Sequence, residues 1–225
     1  NVNTPFLPRV SKQPWPEAAA FESALLAGDH NAAQHVISDC MARDHSLIDV
    51  ELHVIQPALY AIGEKWQSNQ VSVAQEHLAT AIAQSLMTVG LQHAHPLPSV
   101  DKRVLLACVE GNQHAVGLQM VADAFLLSGW TVHYLGANVP TKALIEHTTS
   151  WQPDLIGLSV SFPQQIRTAK RVIIELSEHF GVHRPAVLIG GLAFNRFNGL
   201  VGVVGADSFG TDAESAVEVA NRMLR

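Results

Sequence analysis

The chain of 225 residues predicts an all-α part followed by an α/β part: a four-helix bundle, then a doubly wound parallel sheet. Three observations carry this reading. Apolar residues recur at i, i+3/i+4 spacing through the first part, as in Val50, Val54, Leu59, Ile62 and in Leu78, Ile82, Leu86, Val89. The segment His95-Pro-Leu-Pro-Ser99 then breaks the pattern with two prolines. After it, short apolar runs alternate with helical stretches, and strand–helix alternation builds a parallel sheet covered on both faces.

Residues 1–16 contain Pro5, Pro8, Pro14 and Pro16, show no apolar periodicity, and read as an arm or linker. The bundle follows over 17–96, with helices at 17–27, 31–43, 46–66 and 72–94 and short connections. Asp29 and Ser46 suit N-caps, because a side-chain oxygen accepts from an amide that the first helical turn leaves free. Pro57 falls inside the third helix; without an N–H, it should bend that helix or remove a hydrogen bond. The α/β domain spans 101–225. Strands are expected at Val104–Val109, Thr131–Leu135, Leu155–Val160 and Ala186–Ile189, with a weak one at Val203–Val204 and Asp207–Phe209. Helices are expected at Val116–Ser128, Thr141–Ser150, Gln164–Phe180, 192–198 and 212–224. Ligands of such sheets bind at the carboxyl ends of the strands.

Composition narrows the function. Hydrophobic residues make up 48% and charged residues 15%, ordinary values for two globular domains that each bury a core. The net charge is −6, and the densest basic spots are the pairs Lys102-Arg103 and Lys170-Arg171. Direct nucleic-acid binding is not expected, since phosphate contacts need clustered cations, and no helix-turn-helix segment is apparent. Cys40 and Cys108 are isolated thiols without CxxC or zinc spacing, which suits a reducing compartment. No apolar run reaches the roughly 18–20 residues of a membrane span, and no signal-peptide pattern is visible, so a cytoplasmic protein is expected. The first residue is Asn1 and not Met, as in a piece of something longer.

One spaced pattern stands out: Glu110-Gly-Asn112-Gln-His114-Ala-Val-Gly117, then 41 residues to Ser159-Val-Ser161, then 28 residues to Gly190-Gly191. Its three parts fall at the ends of predicted strands. The pattern resembles the cobalamin (vitamin B12) binding module, which implies a flavodoxin-like domain. The resemblance makes His114 the lower axial ligand of cobalt, in place of the vitamin's own base. A neutral imidazole suits that role, and its other nitrogen normally needs an oriented partner. The family usually places a carboxylate two residues before the histidine. Here Asn112 stands there, an amide without charge, with Glu110 near in sequence to supply one. Gly117 would let the following helix approach the ring. Ser159 and Ser161 occupy the family's Ser-x-Leu position, with polar Ser161 where the slot for the nucleotide tail is usually apolar. Gly190 and Gly191 would leave room for that tail, and Asp207 and Asp212 would touch it or cap the last helix. No GxGxxG follows the first strand, which disfavours a dinucleotide site.

A second constellation lies in the bundle: Trp66, then nine residues, then Glu76-His77. The short joint between the third and fourth helices brings these to one end. This resembles the light-sensing adenosylcobalamin photoreceptors and implies that the bundle caps the cofactor's upper face. Trp66 would cover the adenosyl group, and Glu76 and His77 would contact its sugar and base. That family often has a histidine directly after the tryptophan, which takes cobalt once light has broken the cobalt–carbon bond; here Gln67 stands there, leaving His77 or water for the position. The plainer alternative is Trp66 as bundle core and Glu76-His77 as a solvated first turn favoured by the helix dipole. His30, His35, His45 and His53 show no ligand spacing, His93 and His95 read as exposed, and Trp15 and Trp151 as packing residues.

The resemblance therefore implies a cobalamin-binding light sensor, a regulatory protein more than a catalyst, with adenosylcobalamin as chromophore. Cleavage by light would change contacts and act through a homo-oligomer or a regulatory partner domain. Some relatives hold a bilin as well. Two alternatives stay open: a corrinoid methyl-carrier protein of a methyltransferase system, which needs His114 but not the Trp66, Glu76, His77 set, and a flavodoxin-like module that binds no cobalamin.

Overall fold

Capping side chains mark the starts of the helices that follow the first in the amino-terminal part. Residues 12–224 are described by the computed structural model, and the chain divides into two compact units between Ala94 and His95. In the first unit, α1 (Glu17–Leu26) leads to α2 (His30–Met41), whose N-cap Asp29 accepts from the Ala32 amide at 2.9 Å. The third helix, 47–67, starts at a capping box between Ser46 and Asp49 and has three parts. These are α3 (Leu47–Val50), a π-helical turn (Glu51–Ile55) and α4 (Gln56–Gln67). Helix α5 (Val73–His93) starts at a second capping box between Ser72 and Gln75.

The π turn has a traceable cause. In a regular helix the carbonyl of His53 would accept from residue 57, but Pro57 has no N–H. The Trp15 amide donates to that carbonyl instead, at 2.9 Å. The Trp15 ring stacks on His53 with centroids 4.8 Å apart, and His53 Nδ1 donates to the Gln13 carbonyl at 2.7 Å. Residues 13–16 of the expected arm are thus held against the third helix; residues 1–11 lie outside those described. Phe21, Leu25, Ile37, Val54, Ile62 and Met87 form the buried interior of this unit.

The second unit holds a sheet whose strands β1 (Arg103–Val109), β2 (Thr131–Val139), β3 (Leu155–Ser159), β4 (Ala186–Gly190) and β5 (Ser208–Gly210) lie in the order β2-β1-β3-β4-β5, all parallel. Between them run α6 (Val116–Leu127), α7 (Thr141–Trp151), α8 (Ile166–Phe180), α9 (Leu192–Arg196) and α10 (Val201–Val204), and α11 (Ala213–Met223) ends the fold. The central strands β1 and β3 are apolar and buried on both faces, as helices on either side require. The chain leaves β1 towards β2 on one side and returns to β3 on the other, so a topological switch point lies between β1 and β3.

The structure differs from the sequence expectation at two places. Val203–Val204 is not a strand: these residues end α10, and β5 is confined to Ser208–Gly210. The valine-rich run suggested a strand, but Val204 packs into the sheet's core against α8 while Val203 is exposed, and Gly205 at φ +81° then turns the chain. Strand β2 also runs past Leu135 to Val139, because register shifts opposite Leu106 and Ala107 absorb Gly136 and the left-handed Asn138.

Candidate functional site

The loop after β1 is held by three neutral amide side chains. Asn112 is fully buried; its Nδ2 donates to the Ser159 carbonyl at the end of β3 at 3.0 Å, and its Oδ1 accepts from the His114 backbone amide at 3.1 Å. Its own carbonyl accepts from the Asn138 amide at 2.9 Å, and Asn138 Oδ1 accepts from the Gly111 amide at 2.7 Å. Gln165 closes the third side: Nε2 donates to the Gly111 carbonyl at 2.8 Å, and Oε1 accepts from the Ser161 and Phe162 amides at 3.1 and 3.0 Å. The ends of β1, β2 and β3 are thereby tied together, and loop backbone groups that strand pairing cannot serve find partners. Asn138, Gln165 and Phe162 carry no spacing signal in the sequence; only strand pairing brings them to the loop.

On this frame the His114 side chain is exposed, with its ring edge-on to Phe162 at a centroid distance of 4.9 Å. Beneath it, Cys108 Sγ lies 3.6 Å from the His114 carbonyl, and burial pushes the thiol up to about 11. The Tyr134 hydroxyl donates to the Ala115 carbonyl at 3.2 Å and pins the start of α6; burial pushes this phenol up to about 12. Neither group ionises near neutral pH. Glu110, expected to lend charge to His114, lies 3.5 Å from the Arg171 guanidinium on α8, which shares its charge.

The glycines divide into two kinds. A Cβ at Gly117 would meet nothing within 4 Å, so open space lies at the start of α6 beside the imidazole loop. Gly191 has φ +97°, and a Cβ there would lie 2.5 Å from the Val160 carbonyl oxygen; at Gly190 it would lie 2.9 Å from the Gly210 oxygen. This pair is therefore demanded by the chain's own backbone packing at the end of β4. Ser159 and Ser161 are both buried at the end of β3. Asp212 caps α11 through the Ser215 amide, and Asp207 accepts from the Val187 amide and pairs with Arg184 at 2.8 Å.

In the first unit, Trp66 near the end of α4 is 42% exposed and so is not bundle core. Glu76 and His77 follow in the opening turns of α5. His77 Nδ1 lies 2.5 Å from Glu76 Oε2, and Thr80 Oγ1 donates to Glu76 Oε1 at 2.9 Å. Val73 and Leu78, in the opening turns of the same helix, are exposed as well. In the second unit, the exposed imidazole of His114 and the open space at Gly117 fit a corrinoid, a large group that needs a metal-ligating nitrogen and room beside it. No helix among the described residues is long and apolar enough to cross a membrane.

Comparison with known proteins points to cobalamin binding. Two family profiles match, each described as a B12 binding domain, over residues 102–220 and 17–89. The HTH-type transcriptional repressor CarH of Myxococcus xanthus is 31% identical over 148 residues, 64% of this chain and 48% of that protein, so the chain spans about half the repressor's length. The corrinoid protein DSY3155 of Desulfitobacterium hafniense is 22% identical over 213 residues, covering 90% of this chain and 95% of that one. Among solved structures, the monomethylamine corrinoid protein of Methanosarcina barkeri shares the fold with a TM-score of 0.76 at 16% identity, covering 90% of this chain and 96% of that one. With its carboxy-terminal unit matched almost throughout and its helical unit matched separately, the chain belongs to the B12 binding domain family.

Proposed function

We propose that the chain is a light sensor that uses adenosylcobalamin, with His114 as lower cobalt ligand and Trp66, Glu76 and His77 against the adenosyl group. The observation that carries this reading is an exposed Trp66 near the end of α4, followed after a short joint by the fixed Glu76–His77 pair in the opening turns of α5. Bound adenosylcobalamin supplies a cobalt–carbon bond that light breaks. His114 donates its imidazole lone pair from the loop after β1. Asn112 and Ser159 brace that loop, Ser161, Gly190 and Gly191 border the tail slot, and Gly117 leaves space beside the ring. Trp66 offers a flat apolar face to a nucleoside, and the Glu76 carboxylate accepts from its hydroxyls. The output is a change of homo-oligomeric state or of contact with a regulatory partner domain, and we place the protein in a reducing, cytoplasmic setting, where Cys40 and Cys108 stay thiols.

The test is absorption and size-exclusion of the protein loaded with adenosylcobalamin, in the dark and after green light. A spectral change accompanied by a shift in elution supports a sensor that acts through assembly. Free adenosylcobalamin is itself photolabile, so a spectral change with unaltered elution shows binding alone and overturns a sensor that acts through assembly. The same loading in the presence of a bilin tests for a second chromophore. The second reading, a corrinoid methyl carrier, draws on the near full-length likeness to a corrinoid protein and on Gln67 after Trp66. It predicts a preference for methylcobalamin and no response of elution to light.

A further inference from the structure

We infer that Gln165 is a positioning residue that sets how firmly His114 is presented to a corrinoid cobalt; the inference rests on the reading of His114 as lower ligand. Gln165 is 7% exposed and ends the 3-10 turn Pro163–Gln165 at the start of α8. Its two ends serve different loops. Nε2 donates to the carbonyl of Gly111, 54 residues earlier in the chain, and Oε1 accepts from the Ser161 and Phe162 amides. The first loop carries His114, and the second carries the Phe162 ring that lies edge-on to its imidazole. One side chain thus fixes both the ligand's backbone and the aromatic wall beside it.

A primary amide suits this task for a chemical reason. It donates from one end and accepts at the other, without charge, whereas an ionised carboxylate only accepts and a thioether does neither usefully. The clamp therefore keeps its form across the pH range in which an imidazole titrates. The titratable groups around the loop include Glu110 with Arg171, Cys108, Tyr134 and the buried Asp123 that acts on Tyr134, and substitution of Gln165 leaves all of them in place.

The experiment follows the visible spectrum of the full chain loaded with methylcobalamin as pH is lowered in the dark. Acid protonates His114 and takes it off cobalt, so a weaker hold moves the midpoint to higher pH, by one unit per tenfold loss. Groups that orient a metal-ligating histidine typically contribute about 10–100-fold, so Q165M is expected to raise the midpoint by about one to two units. Q165E keeps the acceptor for Ser161 and Phe162 but loses the donor to Gly111, and should give a smaller rise. Independently of cobalamin, amide hydrogen exchange over 110–114 should quicken in Q165M. The core truncation L176A, three helical turns along α8 from Gln165 and fully buried, serves as control: it should lower stability and leave the midpoint where it is. An unchanged midpoint in Q165M overturns the inference, as does an equal rise in L176A. If Q165M does not fold, an unchanged midpoint in Q165E does the same. H114A tests the underlying reading separately: a pH series identical to that of the wild type removes His114 as ligand whatever Gln165 does.

Discussion

Asn112→Asp is the most informative single change, because it installs the carboxylate usual in the family at a position that here works as a donor. In the native chain Asn112 Nδ2 donates to the Ser159 carbonyl at 3.0 Å from a fully buried site. The substitution loses that bond, about 1 kcal/mol net, and turns an anionic oxygen towards a buried carbonyl, about 1–3 kcal/mol more. The expected loss is therefore about 2–4 kcal/mol at neutral pH. Its pH dependence identifies the cause. The new carboxyl is held above its unfolded pKa of about 3.9 by burial and by the Ser159 oxygen, so the folded state binds the extra proton and stability relative to wild type falls as pH rises. Below about pH 4 the protonated acid donates to Ser159 much as the amide does, and the penalty nearly vanishes. It grows by about 1.4 kcal/mol per unit over the next two to three units and is then constant. Urea denaturation of the two proteins without cobalamin, at about pH 4 and about pH 7.5, measures the difference on the transition that carries the sheet. A gap equal at both values, or no gap, refutes the assignment of Asn112 as a buried donor.

Gly191→Ala should cost about 3 kcal/mol or more, since φ +97° is a conformation reserved for glycine and the added carbon would lie 2.5 Å from the Val160 oxygen; a loss under about 1 kcal/mol in chemical denaturation would contradict this. Trp66→Ala removes a side chain that is 42% exposed and should cost less than the roughly 3–5 kcal/mol of a buried tryptophan, while erasing any preference for adenosyl- over methylcobalamin in equilibrium binding. A preference that survives the substitution rules out Trp66 as an adenosyl contact. Burial holds the Cys108 thiol up to about 11, so labelling near pH 8 should be negligible until denaturant is added. Because the folded pKa lies above the ordinary 9.0, Cys108 also removes stability as pH climbs between the two; rapid labelling of the native protein would disprove its burial.

Much of this architecture was legible from local pattern. Helix starts at Asp29 and Ser46 announce themselves because a capping oxygen lies within three residues of the amide it serves; the cap at Ser72 follows the same rule but was not singled out. Pro57 announced the loss of a helical bond, but not that Trp15 would take the freed carbonyl, a contact 38 residues distant. The valines at 201–204 carried strand propensity, and packing of one helical face against α8 overrode it. At the candidate site, His114, Ser159 and the glycine pair were visible as a spaced motif. Gly191 proved to be required by the backbone of Val160, a close approach that no spacing reveals.

The sequence by itself determined the strand–helix alternation, the break after the bundle, and the placing of an imidazole at the end of the first strand, since each depends on residues within a turn or a strand of one another. Only the tertiary structure decided that β1 and β3 are neighbours at a switch point, that Asn112 donates to a carbonyl 47 residues away, and that Gln165 holds a loop 54 residues back. The physical reason is that strand order and register arise from burying whole faces of a sheet together, and the loops at its edge then meet partners chosen by that packing and not by their separation along the chain.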